Sequence, residues 1–208
     1  MSYFVDIHTH KADSENISIY SYMAGSGAPL PEVIYSTGIH PWKLDGAKTE
    51  WLDDSITSLT VAIGETGLDF AIETPHEKQE KWFRFQLSRA QELALPVIIH
   101  CVKAYNEVIA ILKEYKTVSI IHGFTGSEEL AEQLLKAGFY LSFGANLLYS
   151  PKTQAAIKSV PLDRLFLETD ANPISIEDIY SAAAEYTGLS AGTLKEAIYD
   201  NYKRVFPK

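Results

Sequence analysis

The chain predicts a parallel α/β fold, and three observations carry that prediction. Short apolar runs rich in Val, Ile, Phe and Tyr recur along the sequence, with helical patterns between most of them. Eight runs have the length and composition of strands. Five of the six histidines, His8, His10, His40, His100 and His122, close such a run. If the runs are strands of one parallel barrel, all five imidazoles emerge on one rim.

Taken in order, the expected strands lie near Tyr3 to Ile7, Ile17 to Tyr22, Val33 to Thr37 and Thr60 to Gly64, then Pro96 to His100, Val118 to Ile121, Phe139 to Phe143 and Arg164 to Glu168. Between the first three, Lys11 to Pro31 is too short and too rich in Ser, Gly and Pro for two full helices, so this part is expected to be abbreviated. The longest helix is expected from about Pro75 to Leu95, with Trp82, Phe83, Leu87, Ala90, Leu93 and Ala94 on its apolar face. Glu77, Lys78, Glu80 and Lys81 begin its wet side. Further helices follow Lys103, Ser127, Ser150, Ser175 and Ser190. Ser150 before Pro151 reads as an N-cap with proline at the first helical position, and Gly138 suits a left-handed helix end.

At 208 residues and 46% hydrophobic, the chain fits one well-filled core, and residues 1–208 are read as a single domain. A net charge of -9 repels phosphate backbones at long range, so any phosphate contact must be local. The one cysteine, Cys101, makes no internal disulfide, no charged-then-apolar leader precedes Asp6, and no run is long enough to span a bilayer. A cytoplasmic, monomeric protein with no membrane association and no obligate protein partner is expected.

His8 and His10 stand two residues apart, which on a strand points both side chains to one face. His100 and His122 end independent strands, and the segments Gly64-Glu65-Thr66-Gly67 and Glu168-Thr169-Asp170 bring carboxylates to the ends of two more. Imidazole nitrogens together with carboxylates suit Zn, Mn or Mg. Six ligands exceed one tetrahedral ion, and two divalent ions sharing a carboxylate is the economical arrangement. His76 has no apolar run before it and is expected at the surface. Cys101 alternates to the far face of its strand and is read as core filler. Asp6 and Asp69 are read as orienting the ligands, while Glu168 receives no role.

Six motifs in order resemble the TatD family of metal-dependent hydrolases: Asp6-Ile7-His8-Thr9-His10, Gly38-Ile39-His40-Pro41-Trp42, Ile63-Gly64-Glu65-Thr66-Gly67-Leu68-Asp69, Pro96-Val97-Ile98-Ile99-His100, His122-Gly123-Phe124-Thr125-Gly126-Ser127 and Leu167-Glu168-Thr169-Asp170. Gln86-Leu87 and Asn201-Tyr202-Lys203-Arg204-Val205-Phe206 extend the likeness over nearly the whole chain. The resemblance implies a (β/α)8 TIM-type barrel, abbreviated between the first three strands, and a deoxyribonuclease- or exonuclease-like phosphodiester hydrolysis. It implies that His8, His10, Glu65 and Asp170 hold one metal, and that Glu65 bridges to a second held by His100 and His122. Asp170, Glu65 and His40 become the catalytic set, with Asp170 handling the proton and His40 contacting the phosphate of DNA or a small phosphodiester.

The sequence also departs from the family pattern. Where the pattern has an arginine two residues beyond the histidine of the fifth strand, this chain has Val102, and Lys103 beside it lacks the bidentate fork. The segments after the first, second and eighth strands are short, and the proline after Asp170 falls one place late, at Pro173. The alternative reading is a related hydrolase acting on a small ester, lactone or amide. An interaction module without activity is disfavoured, since no ligand is lost.

Overall fold

The computed structural model describes residues 3–12 and 15–206. Its strands are β1 (Val5–Thr9), β2 (Ile17–Met23), β3 (Tyr35–Gly38), β4 (Thr60–Asp69), β5 (Val97–Val102), β6 (Ser119–Ile121), β7 (Tyr140–Phe143) and β8 (Leu165–Leu167). They form one eight-stranded sheet in sequence order, and a parallel bridge between Thr9 and Asp170 returns the last strand's end to the first. This connectivity is that of a (β/α)8 barrel. The helices are α1 (Thr49–Ser55), α2 (His76–Leu93), α3 (Tyr105–Leu112), α4 (Glu128–Lys136), α5 (Pro151–Lys158), α6 (Ile176–Thr187) and α7 (Ala191–Val205). Among the described residues none of them falls between the first three strands, as the short Ser- and Gly-rich connections require. No helix is long and apolar enough to cross a membrane.

Two compact units make up the chain, Met1–Ile19 with Ile120–Lys208, and Tyr20–Ser119. In the first, Val5 and Ile7 of β1, Leu141 and Phe143 of β7 and Phe166 of β8 are fully buried with Ile179 and Tyr180 of α6 and Leu194 and Ile198 of α7. Helix side chains also close the hydrogen bonding of the strands. Tyr180 Oη accepts from Val5 N and donates to Val5 O, both at 3.2 Å. Asn201 Nδ2 donates to the carbonyls of Leu162 at 2.7 Å and Leu165 at 2.9 Å. The expected caps form: Ser150 accepts from Thr153 N ahead of Pro151, and Gly138 takes a φ of 94° past the end of α4.

In the second unit, β3, β4 and β5 run parallel and α2 covers them with Phe83, Leu87 and Ala90, all fully buried. Here the helix differs from the sequence expectation. Leu93 is 38% exposed and Ala94 lies beyond the helix in a left-handed conformation, while Gln79 and Gln86 are the polar residues on the buried face. Both amides answer main-chain groups at strand ends. Gln86 accepts from Ile39 N at 2.7 Å and donates to Ile39 O at 3.0 Å. Gln79 accepts from Asp69 N at 2.7 Å and donates to Asp69 O at 2.8 Å. Hydrophobic periodicity misses such residues, because their burial is justified by hydrogen bonds and not by apolar area.

Strand β4 also runs past the expected end at Gly64, through Glu65 to Asp69, with its register against β5 shifting between Ile63 and Thr66. A Cβ on Gly64 (φ 155°) would lie 2.6 Å from Ile98 O, and one on Gly67 (φ 145°) 2.0 Å from His100 O. Only glycine permits this approach of the two backbones.

Gln86→Leu leaves the buried N–H and carbonyl of Ile39 without these partners and is expected to lower stability by about 2–6 kcal/mol, at about 1–3 kcal/mol per unsatisfied group. Urea unfolding measures it, with an unchanged midpoint as the contrary result.

Candidate metal centre

In the unit containing β1 and β8, backbone pairing brings three of the expected ligands together. Asp170 N donates to His8 O at 2.9 Å, and His10 N donates to Asp170 O at 3.2 Å. The side chains then converge: His8 Nε2 and His10 Nε2 lie 3.6 and 3.3 Å from the same oxygen, Asp170 Oδ1. His8 is fully buried, while the side chains of His10 and Asp170 are 42% and 46% exposed. Asp170 takes a φ of 54°, a conformation aspartate tolerates better than most residues. His122, after β6, packs its ring 4.3 Å from that of His8.

Buried acids hold this cluster in place. Asp6 accepts from His8 N at 3.4 Å and Thr169 N at 3.1 Å through Oδ1, and from Thr169 Oγ1 at 2.6 Å through Oδ2. Burial pushes its carboxyl up to about 7, against the opposing pull of the Thr169 hydrogen bonds. Glu168, fully buried, accepts from Gly123 N at 2.7 Å and pairs with His122 Nδ1 at 3.2 Å, both through Oε1. Its other oxygen, Oε2, is buried with no hydrogen-bond partner among the described residues. Glu168 is thus the site residue to which sequence reasoning gave no role. The signal available was an acid directly ending an apolar run, two places before an expected ligand. Beside Asp170 a cavity of about 340 Å³ opens, lined by Gly123, Asn146, Glu168, Asp170 and Asn172 among others.

In the other unit, His40, Glu65 and His100 offer ligand atoms that all lie within 4.8 Å of one another. Glu65 Oε1 is 2.8 Å from His100 Nδ1 and 3.1 Å from His40 Nε2. The other nitrogen of His100, Nε2, is 3.2 Å from Asp69 Oδ2. Burial would raise the Asp69 carboxyl, but hydrogen bonds from Trp42, Ala71 N and His100 outweigh it and hold the group below its ordinary value. Asp69 is therefore an ionised acceptor facing His100 Nε2. Both ring nitrogens of His100 thus face carboxylates, Nδ1 that of Glu65 and Nε2 that of Asp69. Cys101 points away into the core, and burial pushes its thiol up to about 12.

His40 also has a local role in its own turn. Its Nδ1 accepts from Trp42 N at 3.1 Å and caps the short 3-10 turn Pro41–Lys43. The proton is thereby assigned to Nε2, which faces Glu65, so His40 is a neutral donor there. His76 is exposed, as expected, with its ring stacked on Phe70 at 3.6 Å.

The donor set fits divalent ions. Nitrogen and carboxylate ligands converge in both units, and His100 and His122 each have a ring nitrogen backed by a buried carboxylate, Asp69 and Glu168. A (β/α)8 barrel with such clusters after its strands is the framework of a metal-dependent hydrolase. Comparison with known proteins gives the family: the model for the TatD related DNases matches residues 4–207, and the chain belongs to that family. It is 34% identical over 176 residues to the uncharacterized metal-dependent hydrolase YabD of Bacillus subtilis (strain 168), an alignment covering 75% of this chain and 69% of the relative. It is 38% identical over 152 residues to the 3'-5' ssDNA/RNA exonuclease TatD of Cronobacter sakazakii, covering 65% and 56%. The crystal structure of YJJV, a TatD homolog from Escherichia coli K12, superposes with a TM-score of 0.85 over 98% of this chain and 97% of that one, at 23% identity.

Glu168→Gln keeps an oxygen acceptor for Gly123 N and replaces the carboxyl group beside His122 with an amide. It is expected to weaken divalent-ion binding by about 10–100-fold in a chelator-competition titration. Unaltered affinity would restrict Glu168 to packing.

Proposed function

We propose that residues 1–208 act as one catalytic domain, a phosphodiesterase that hydrolyses nucleic-acid ends or small phosphodiesters with two divalent ions. His8, His10, Glu65 and Asp170 would hold one ion, and Glu65, His100 and His122 the other. The observation that carries the reading is the pair of carboxylate-backed histidines, Asp69 on His100 and Glu168 on His122, because such backing sets the tautomer a ligand needs. Zn, Mn and Mg all suit this mixed set of nitrogen and oxygen donors.

When bound, the ions would acidify a water and neutralise charge on the phosphate. The chain's own groups do the rest. Asp170, half exposed beside the cavity, takes the proton of the attacking water as its oxygen bonds to phosphorus. The bond from phosphorus to the leaving oxygen breaks, and the proton passes from Asp170 to that oxygen, giving a phosphomonoester and an alcohol. His40, fixed as a donor by its own turn, offers Nε2–H to a non-bridging phosphate oxygen. A neutral donor suits an overall acidic protein, since specificity for the anion then rests on local groups. The exonuclease direction named for the Cronobacter relative supports testing single-stranded 3' ends first.

Asp170→Asn is expected to lower turnover of single-stranded DNA and of bis(p-nitrophenyl) phosphate by about 10²–10⁴-fold, the range for general acid–base groups, while the protein stays folded by circular dichroism. Near-wild-type rates would overturn the role. Hydrolysis confined to a parallel panel of carboxylic esters, lactones and amides would replace the phosphodiesterase reading.

Removing metal with chelator is expected to lower the thermal midpoint, and adding back an ion at about a hundred times its dissociation constant to restore about 2.7 kcal/mol. Anomalous scattering from crystals grown without chelator then identifies the ion and counts the sites.

A further inference from the structure

Trp42 is 61% exposed, whereas Trp51 and Trp82 are partly covered. Exposure of a single aromatic is ordinary in itself. The unusual feature of Trp42 is that residues of the candidate centre hold it from both of its donors. Its main-chain N–H is bound by His40 Nδ1 at 3.1 Å, and its indole Nε1–H by Asp69 Oδ2 at 2.7 Å. Asp69 Oδ2 is the same oxygen that receives His100 Nε2. The indole meets the His40 ring nearly edge-on, 5.0 Å away at 83°, and the His100 ring 6.0 Å away at 78°.

A large apolar plane is therefore oriented by hydrogen bonds, left open to solvent, and set against the histidine that would contact phosphate. Such a plane loses little conformational entropy when a flat ligand covers it, because its side chain is already fixed. Given the phosphodiesterase reading, on which this inference rests, we propose that Trp42 is the platform on which a nucleobase of the substrate stacks, next to the phosphate at His40. Stacking recognises the π-face common to all bases, so this subsite selects nucleotides over other phosphodiesters without selecting a base. It also supplies affinity that does not depend on net positive charge, which a chain of net charge -9 lacks.

The test compares single-stranded oligonucleotides whose 3'-terminal residues carry bases with the same oligonucleotides ending in abasic residues. The wild-type protein is expected to favour base-bearing ends in kcat/KM by about 5- to 150-fold, the range for stacking one base on an aromatic side chain. Trp42→Ala should bring that ratio close to one, and Trp42→Phe, which keeps a ring without the Asp69 hydrogen bond, should fall between. The ratio is internal to each variant, so a general loss of rate does not imitate the effect. Equal cleavage of both ends by the wild type, or a preference that survives in Trp42→Ala, overturns the platform while leaving the phosphodiesterase reading intact.

If no oligonucleotide is cut, the phosphodiesterase reading is decided by bis(p-nitrophenyl) phosphate, and the platform by binding alone. Tryptophan emission excited at 295 nm should be quenched by thymidine 5'-phosphate, not by deoxyribose 5-phosphate, and the difference should vanish in Trp42→Ala. Equal responses to the two phosphates reject the platform.

Discussion

The strands of this protein are buried, and where each one stops its peptide groups lose their ladder partners. Satisfying those groups is the constraint on which the rest of the structure depends, because an unmet buried N–H or carbonyl costs about as much as a hydrogen bond is worth. The chain meets it with side chains, and several of these also shape the candidate centre. Gln86 serves both polar groups of Ile39, next to His40. Gln79 does the same for Asp69, whose carboxylate holds His100 and Trp42. Asp6 receives the main chain of His8 and Thr169, and Glu168 that of Gly123. Positioning of the ligands and completion of the main-chain hydrogen bonds are thus carried out by the same atoms.

This double use explains why the site is rich in buried acids. An isolated carboxylate is costly to bury, and the ones here are surrounded by N–H and O–H donors or face histidine. Asp69 and Asp6 show the two outcomes. Three donors outweigh burial at Asp69 and keep it ionised, whereas at Asp6 burial prevails and the carboxyl rises to about 7. Asp69, held below its ordinary value, is the one that faces a ligand's ring nitrogen.

Much of this was legible in the sequence, because apolar runs and their terminal residues are read directly. The strand segments, the lack of helices between the first three strands among the described residues, the Ser150 and Gly138 helix ends and the placement of His8, His10 and Asp170 all follow from local pattern. Less legible were features that depend on who meets whom. Gln79 and Gln86 interrupt the apolar face of α2, and nothing local says that Ile39 and Asp69 await them. The continuation of β4 through Glu65 to Asp69 was hidden because glycine-rich sequence ordinarily signals a strand's end. The tautomer of His40 was not legible either, since the Trp42 N–H that fixes it is in place only once the Pro41 turn has formed. Glu168 could be placed near the site, but its partners Gly123 and His122 stand more than forty residues away.

Gly64 and Gly67 bracket Glu65 on a strand pressed so closely against β5 that neither position has room for a Cβ. The backbone of Glu65 is consequently located by main-chain sterics, and its carboxylate is then aimed by His40 and His100. Over evolutionary time this divides the protein into parts that can drift and a part that cannot. Loops beyond the strands can lengthen, shorten or change composition, altering which molecules are accepted. The acid stays where the backbone puts it, so a lineage can explore new substrates while inheriting the same reaction.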